Sequence, residues 1–208
     1  MRTGNSLRRV KARLRAEMLN ARAALSADYR AEASRAVVAR IRQLPIFHTC
    51  RAFLACFPFR GEVDISPLIH EPGEGRAVYL PRADFSTSSL ALCRYPCALT
   101  RTAFGLTEPA PHVTPATEAE LAALDIAIIP GVAFAVRTCH RLGYGGGFFD
   151  AFLTAHDVVS IGVAFRCQLA KEVPHSGRDI PMDWVVCEDD VLRRPWRGTS
   201  PLRRMSEP

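Results

Sequence analysis

The residues most able to do chemistry are concentrated in one decapeptide. Arg141-Leu142-Gly143-Tyr144-Gly145-Gly146-Gly147-Phe148-Phe149-Asp150 sets four glycines in five positions between an arginine and a carboxylate. Glycines let backbone approach a ligand closely and present successive N–H groups to it. A helix starting after such a turn adds a partial positive charge suited to phosphate. Arg141 supplies a full charge, and Asp150 is a ligand type for a Mg²⁺ bridging phosphates. The block lacks the Lys-Ser/Thr of a P-loop and the Gly-x-Gly-x-x-Gly of a dinucleotide turn. Its residues by themselves therefore support a phosphate-binding loop and no specific nucleotide fold.

A second basic element stands near the N-terminus. Leu7, Val10, Leu14, Met18, Ala21 and Leu25 fall on one helical face, with Arg8, Arg9, Lys11, Arg13, Arg15 and Arg22 between them. Lys11 and Arg15 stand one turn apart and can reach a common anion, although a solvated polar face is the plainer reading. Glu62 and Asp64 follow an apolar stretch, where an open α/β sheet places its ligands.

The elements that would position these residues read as follows. A helix capped by Ser26 carries Tyr29, Ala33, Val37, Ile41 and Leu44 to Pro45, and should form an antiparallel helical hairpin with the basic helix. Strands are expected at 51–57, at 77–80 up to Pro81, at 90–95, at 125–129 before Pro130-Gly131, at 158–165 and, as the last, at 184–187. Short helices are expected near 66–70 and 118–121, and a longer one through Phe148, Phe149, Phe152 and Leu153. The alternation argues for an α/β layered fold, a largely parallel central sheet flanked by helices. One domain over 1–192 accommodates this, followed by a basic tail, 193–208, that reads as disordered.

Composition narrows the function classes. With 208 residues and 48% hydrophobic content, the chain can bury a core; its net charge of +6 suits anionic ligands. Seven scattered cysteines without a Cys-x-x-Cys pair read as reduced thiols, and the histidines lack metal-ligand spacing. No signal peptide or bilayer-length apolar run is evident, so a cytoplasmic protein without membrane association is expected.

Several motifs occur together and in order: Lys11-x-x-Leu14-Arg15, Glu62-Val63-Asp64, Leu80-Pro81-Arg82, Gly105-x-x-Glu108-Pro109, Pro130-Gly131-Val132-Ala133-Phe134, the glycine block, and Asp179 with Asp183. In these the chain resembles the 5-formyltetrahydrofolate cyclo-ligases over roughly residues 7 to 190. The resemblance implies ATP as co-substrate, Mg²⁺, and conversion of 5-formyltetrahydrofolate to 5,10-methenyltetrahydrofolate with release of ADP and phosphate. It implies that Lys11, Ala12, Arg13, Leu14, Arg15, Arg141, Leu142, Gly143, Tyr144, Gly145, Gly146, Gly147, Phe148 and Phe149 hold ATP. Arg15, Glu62, Tyr144, Gly145, Gly146, Gly147 and Phe148 would contact the folate, and Asp150 and Asp179 the metal. Lys11, Arg141 and Tyr144 would serve the chemical step. The partners implied are 5-formyltetrahydrofolate and its polyglutamates, handled by a monomer.

The chain departs from the family pattern at Ala135 to His140, at Phe148 and Phe149 where tyrosines are usual, at His175-Ser176-Gly177-Arg178 and at Phe57-Pro58-Phe59-Arg60. Two rival readings are a diverged relative that binds nucleotide or folate without this reaction, and a nucleic-acid-binding module suggested by the net charge and the basic tail. Two separated aspartates beside a glycine loop favour Mg-nucleotide over nucleic acid.

Overall fold

The computed structural model describes residues 3–194. In chain order its elements are α1 (Thr3–Ala23), α2 (Ala27–Gln43), α3 (Pro45–Thr49), β1 (Ala52–Leu54), α4 (Ser66–His70), β2 (Ala77–Asp84), β3 (Ser89–Tyr95), β4 (Leu99–Arg101), β5 (Thr107–Pro109), α5 (Glu118–Ala122), β6 (Ile126–Pro130), β7 (Ala133–Ala135), β8 (Arg141–Leu142), α6 (Phe148–Ala155), β9 (Val159–Val163), a 3₁₀ turn (Arg166–Gln168), β10 (Leu169–Ala170), β11 (Trp184–Val186) and β12 (Val191–Arg193).

Seven strands form the main sheet in the order β12-β11-β9-β6-β1-β2-β3. The five inner strands are parallel, and the edges β3 and β12 run antiparallel to their neighbours. The apolar runs are buried on both faces, as a parallel sheet requires. Phe53, Ile126, Ile128 and Ile161 face the layer of α2, α3 and α4, while Leu54, Ala127, Ile129 and Val185 face the layer containing α6. Full burial of each such large apolar side chain contributes roughly 1.5–3 kcal/mol. From β1 the chain moves to β2 on one side, and later returns to β6 on the other. The boundary between β1 and β6 is thus a switch point of the topology, open at the carboxyl ends of the strands.

Several local expectations are corrected. Pro81 does not stop β2. Past Tyr79 that strand has left β1 and pairs with β3 alone, so the missing proline N–H costs no bond to β1. β11 is not the last strand, because β12 folds back onto it and Arg193 and Arg194 belong to the ordered domain. Arg193 stacks on Trp184, and Arg194 Nη2 donates to Asp183 Oδ1 at 3.0 Å. The remainder of the tail, 195–208, lies outside the described residues.

The N-terminal helical hairpin turns through residues 24–26, with the Ser26 hydroxyl accepting from the Tyr29 N–H as expected of an N-cap. Its arms serve different layers instead of packing along each other. The apolar stripe of α2 enters the main core. Leu14, Met18 and Leu19 of α1 cover a separate small sheet, β10-β7-β8, through Val132, Ala133, Ala135 and Leu142. In the chain β7 and β8 intervene between β6 and the glycines, so the glycine loop follows the two-residue β8 and not the main sheet directly.

Candidate active site

One large cavity, of about 730 Å³, opens at the switch point. Its floor comes from strand ends: Cys56 and Phe57 after β1, Leu80 and Pro81 of β2, and Pro130 of β6. Arg8, Lys11 and Arg15 of α1 form one wall, and the glycine block with the start of α6 forms another. Two hairpin tips overhang it, carrying Phe85 between β2 and β3 and Phe104 between β4 and β5.

The glycine loop is built as its composition demands. Gly145 and Gly147 hold φ of 110° and 73°, a region that penalises a Cβ. Gly147 caps α6 in the left-handed conformation, and the loop from Tyr144 to Gly147 is exposed at the cavity rim. Helix α1 tethers this loop and its surroundings at three points. Arg15 Nε donates to the Gly143 carbonyl at 2.9 Å, Arg22 Nη2 donates to the Tyr144 hydroxyl at 2.6 Å, and Lys11 Nζ meets Asp179 Oδ1 at 2.6 Å.

Cations and carboxylates alternate along the wall. Arg141, 7% exposed, donates through Nη2 to Asp150 Oδ2 at 3.1 Å and lies against the Phe149 ring. Burial pulls its pKa down, and Asp150 and Asp179 oppose that pull. Asp150 Oδ1 accepts from the Ile180 N–H at 3.0 Å, which fastens the Asp179 segment to α6. Burial alone would raise the Asp179 carboxyl, but hydrogen bonds from Lys11 and Ser176 outweigh it, leaving the group below its ordinary value.

At the other end lies Glu62, buried beneath Tyr144 and the loop from Phe59. Its Oε2 accepts from the Phe59 N–H at 3.1 Å, and its Oε1 stands 4.0 Å from Arg22 Nη1. Burial pushes Glu62 up to about 7, opposed by Arg22, the Phe59 N–H and Arg141. Aromatic rings line this region: Phe59 packs edge-on against Tyr144 at 5.7 Å, and Phe85 against Phe148 at 5.2 Å.

The cavity brings together most of the residues expected from the sequence: Lys11, Arg15, Glu62, Arg141 to Asp150, and Asp179. Three others stand apart. Ala12 and Arg13 are exposed on the far side of α1, and Leu14 packs on the small sheet. Two segments that depart from the family pattern meet: His140 and His175 stack at 3.6 Å and 11° beside Asp179 and Lys11. Sequence reasoning missed Arg22, which it assigned to a solvated face and which is 2% exposed. A signal was present, since Lys11, Arg15 and Arg22 fall at i, i+4 and i+11, one face of a helix. Phe85 and Phe104 carried no such signal; they converge through two hairpins distant in sequence.

The fold and site together define an α/β enzyme with its pocket at the sheet's switch point, bounded by a basic helix and a glycine loop. Residues 8–188 match the family model described as the 5-formyltetrahydrofolate cyclo-ligase family. The 5-formyltetrahydrofolate cyclo-ligase of Escherichia coli K12 is 33% identical over 180 residues, covering 82% of this chain and 96% of that one. A probable 5-formyltetrahydrofolate cyclo-ligase of Caenorhabditis elegans is 25% identical, covering 90% and 97%. The match to the Saccharomyces cerevisiae cyclo-ligase is shorter, spanning 96 residues and 43% of each chain. The solved Aquifex aeolicus 5,10-methenyltetrahydrofolate synthetase superposes with a TM-score of 0.75 at 31% identity, covering 92% of this chain and 96% of that one. The chain belongs to the 5-formyltetrahydrofolate cyclo-ligase family and is an enzyme, a ligase of folate metabolism.

Proposed function

We propose that the protein converts 5-formyltetrahydrofolate to 5,10-methenyltetrahydrofolate with ATP and Mg²⁺, releasing ADP and phosphate. The observation that carries this reading is a single cavity with two chemically different ends. One end gathers Lys11, Arg15, Arg141 and the glycine loop; the other gathers Glu62, Tyr144 and aromatic rings. The first suits a polyphosphate, and the second suits a flat ring bearing hydrogen-bond donors.

A formamide carbon is a poor electrophile because the nitrogen lone pair delocalises into it. In the proposed reaction the formyl oxygen attacks the γ-phosphorus and ADP leaves. Folate N10 then attacks the activated carbon, its proton departs, and the formyl oxygen leaves as phosphate. Both nucleophiles belong to the substrate, so the protein's work is alignment and charge stabilisation. Lys11 and Arg141 serve the phosphates, and Tyr144 sits where the two substrates would meet.

The donor set fits Mg²⁺, which takes one or two carboxylates and completes its shell with phosphate oxygens and water. Asp150 uses two of its roughly four lone-pair sites and Asp179 three, so Asp150 has more capacity to spare. Bound there, Mg²⁺ would neutralise charge on the transferring phosphoryl group.

We assign the activity to a cytoplasmic monomer, with folate and its polyglutamates as partners. The seven cysteines stand as free thiols, which suits a reducing compartment. Among the described residues no helix is long and apolar enough to cross a membrane. The test is near-ultraviolet absorbance of protein mixed with 5-formyltetrahydrofolate, Mg²⁺ and ATP. An ATP-dependent rise of methenyl product is expected. Folded protein that binds ATP and gives no rise would shift the reading to a diverged relative.

A further inference from the structure

We propose that Arg22 is the positioning residue for the folate end of the cavity, holding the Glu62 carboxyl and the Tyr144 hydroxyl in one geometry for the substrate. This rests on the cyclo-ligase reading above and adds to it a residue outside the phosphate machinery.

Arg22 stands in the last turn of α1, where an arginine commonly extends into solvent and answers the helix dipole. Here the side chain turns inward and is 2% exposed. Its Nη2 donates to two separate elements, the Tyr144 hydroxyl of the glycine loop at 2.6 Å and the Arg60 carbonyl at 3.1 Å. The Arg60 contact sits on a sharp bend: Arg60 has φ of 48° and Gly61 of 72°, and this bend turns Glu62 back beneath the cavity. A non-glycine residue held in that region is kept there by its surroundings. Arg22 is one of the groups that keeps it.

A purely structural role does not account for the remaining nitrogen. Nη1 is buried, has no hydrogen-bond partner, and stops 4.0 Å from Glu62 Oε1. A closed structural pair would bring those atoms into hydrogen-bond distance, and an apolar side chain of similar volume would avoid the desolvation altogether. The open donor is aimed instead at a carboxyl that lines the cavity. Other groups facing Glu62 are Arg141 from β8, the Phe59 N–H of its own loop, Cys56 beyond β1, and Tyr144. Burial raises Glu62 and Arg22 is the largest opposing influence. Arg22 therefore sets both where the carboxylate points and at what pH it forms. Lys11, Arg15 and Arg22 share one face of α1, so one rigid helix fixes phosphate end and folate end relative to each other.

The experiment compares wild type with Arg22→Met and Arg22→Lys, each checked for cooperative thermal unfolding. Binding of 5-formyltetrahydrofolate and of ATP is measured by titration calorimetry from pH 5.5 to 9, beside ATP-dependent product formation. Arg22→Met should weaken folate binding about 10- to 100-fold, the range for losing a charge-assisted hydrogen-bonding group, and leave ATP affinity within about threefold, below half a decade. The acidic limb of folate affinity should move to higher pH in Arg22→Met. Arg22→Lys, which keeps the charge without the fork, should restore that limb while folate affinity stays below wild type.

An unmoved limb in folded Arg22→Met, or equal losses for folate and ATP in either folded variant, overturns the inference. If Arg22→Met does not fold, Arg22→Lys decides alone: undiminished folate affinity overturns the inference. Wild type that binds folate with the Arg22-dependent profile but forms no product would leave the inference standing and overturn the proposed reaction.

Discussion

Lys11 Nζ and Asp179 Oδ1 lie 2.6 Å apart although 168 residues separate them, so the first helix and the segment before β11 close the cavity together. Both side chains remain about one-fifth exposed, at 20% and 18%, which keeps the pair accessible to an incoming phosphate. Lys11→Ala should raise the KM for ATP by at least about tenfold, the scale of one charge-assisted bond, with a smaller effect on folate. Steady-state kinetics with each substrate varied in turn checks this; equal effects on both would refute the phosphate assignment.

The same pair carries a pH dependence. Asp179 is depressed in the folded protein, so it contributes stability above its unfolded pKa, near 3.9, and that contribution is lost as pH falls through the lower folded value. Asp179→Asn should therefore be less stable than wild type at pH 7, with the gap closing in acid. Denaturant melts at pH 7 and in strong acid measure it. Because both groups are partly exposed, the expected size is about 1 kcal/mol.

Asp150 anchors two groups, the Arg141 guanidinium and the Ile180 N–H. Asp150→Asn keeps a carbonyl oxygen for one of them and loses the charge. We expect a folded protein whose product formation no longer responds to Mg²⁺ titration, with turnover reduced at least about 100-fold, the scale for one electrostatic stabiliser. Wild-type turnover with a wild-type Mg²⁺ response would rule out the metal role.

Glu62 behaves in the opposite sense from Asp179. Burial lifts it from 4.5 to about 7, so ionising it costs stability above the folded pKa and nothing below the unfolded one. Glu62→Gln should stabilise the protein at pH 8.5 by up to about 3 kcal/mol, as the shift implies, and leave stability at pH 4 nearly unchanged. The same variant should lose folate binding. Stability curves that run parallel across this range would contradict the burial argument.

Phe134 is fully buried and wedged between Gly131 and Gly162. A Cβ on Gly131 would fall 2.6 Å from the ring, and one on Gly162 would also overlap it. Gly162→Ala, in the middle of β9, should destabilise by roughly 1–3 kcal/mol through overpacking. Chemical denaturation with an unchanged m-value is the expected signature.

The legibility of this protein follows from the range of each interaction. The glycine block, the Ser26 cap, the α2 stripe and the parallel apolar runs are local patterns, set by dihedral preference and periodicity within a few residues. They establish an α/β sheet, a phosphate-type loop and, through ordered motifs, a family resemblance. β12 escaped because Val191–Arg193 is too short to show a period, and Pro81 misled because its tolerance depends on where β1 ends.

Tertiary structure alone decided how those pieces meet. The sequence puts Lys11, Arg15 and Arg22 on one helical face beside the apolar stripe, but does not record the rotation at which that stripe meets its partner. Packing of Leu14 and Met18 on the small sheet settles that rotation, directing Lys11 to Asp179 and burying Arg22 beside Glu62. The aromatic contact of Phe85 with Phe148 likewise needs a hairpin folded over the cavity, and the His140–His175 stack needs two loops brought together. Such encounters depend on loop closure over long sequence separations, where no local pattern records the partner.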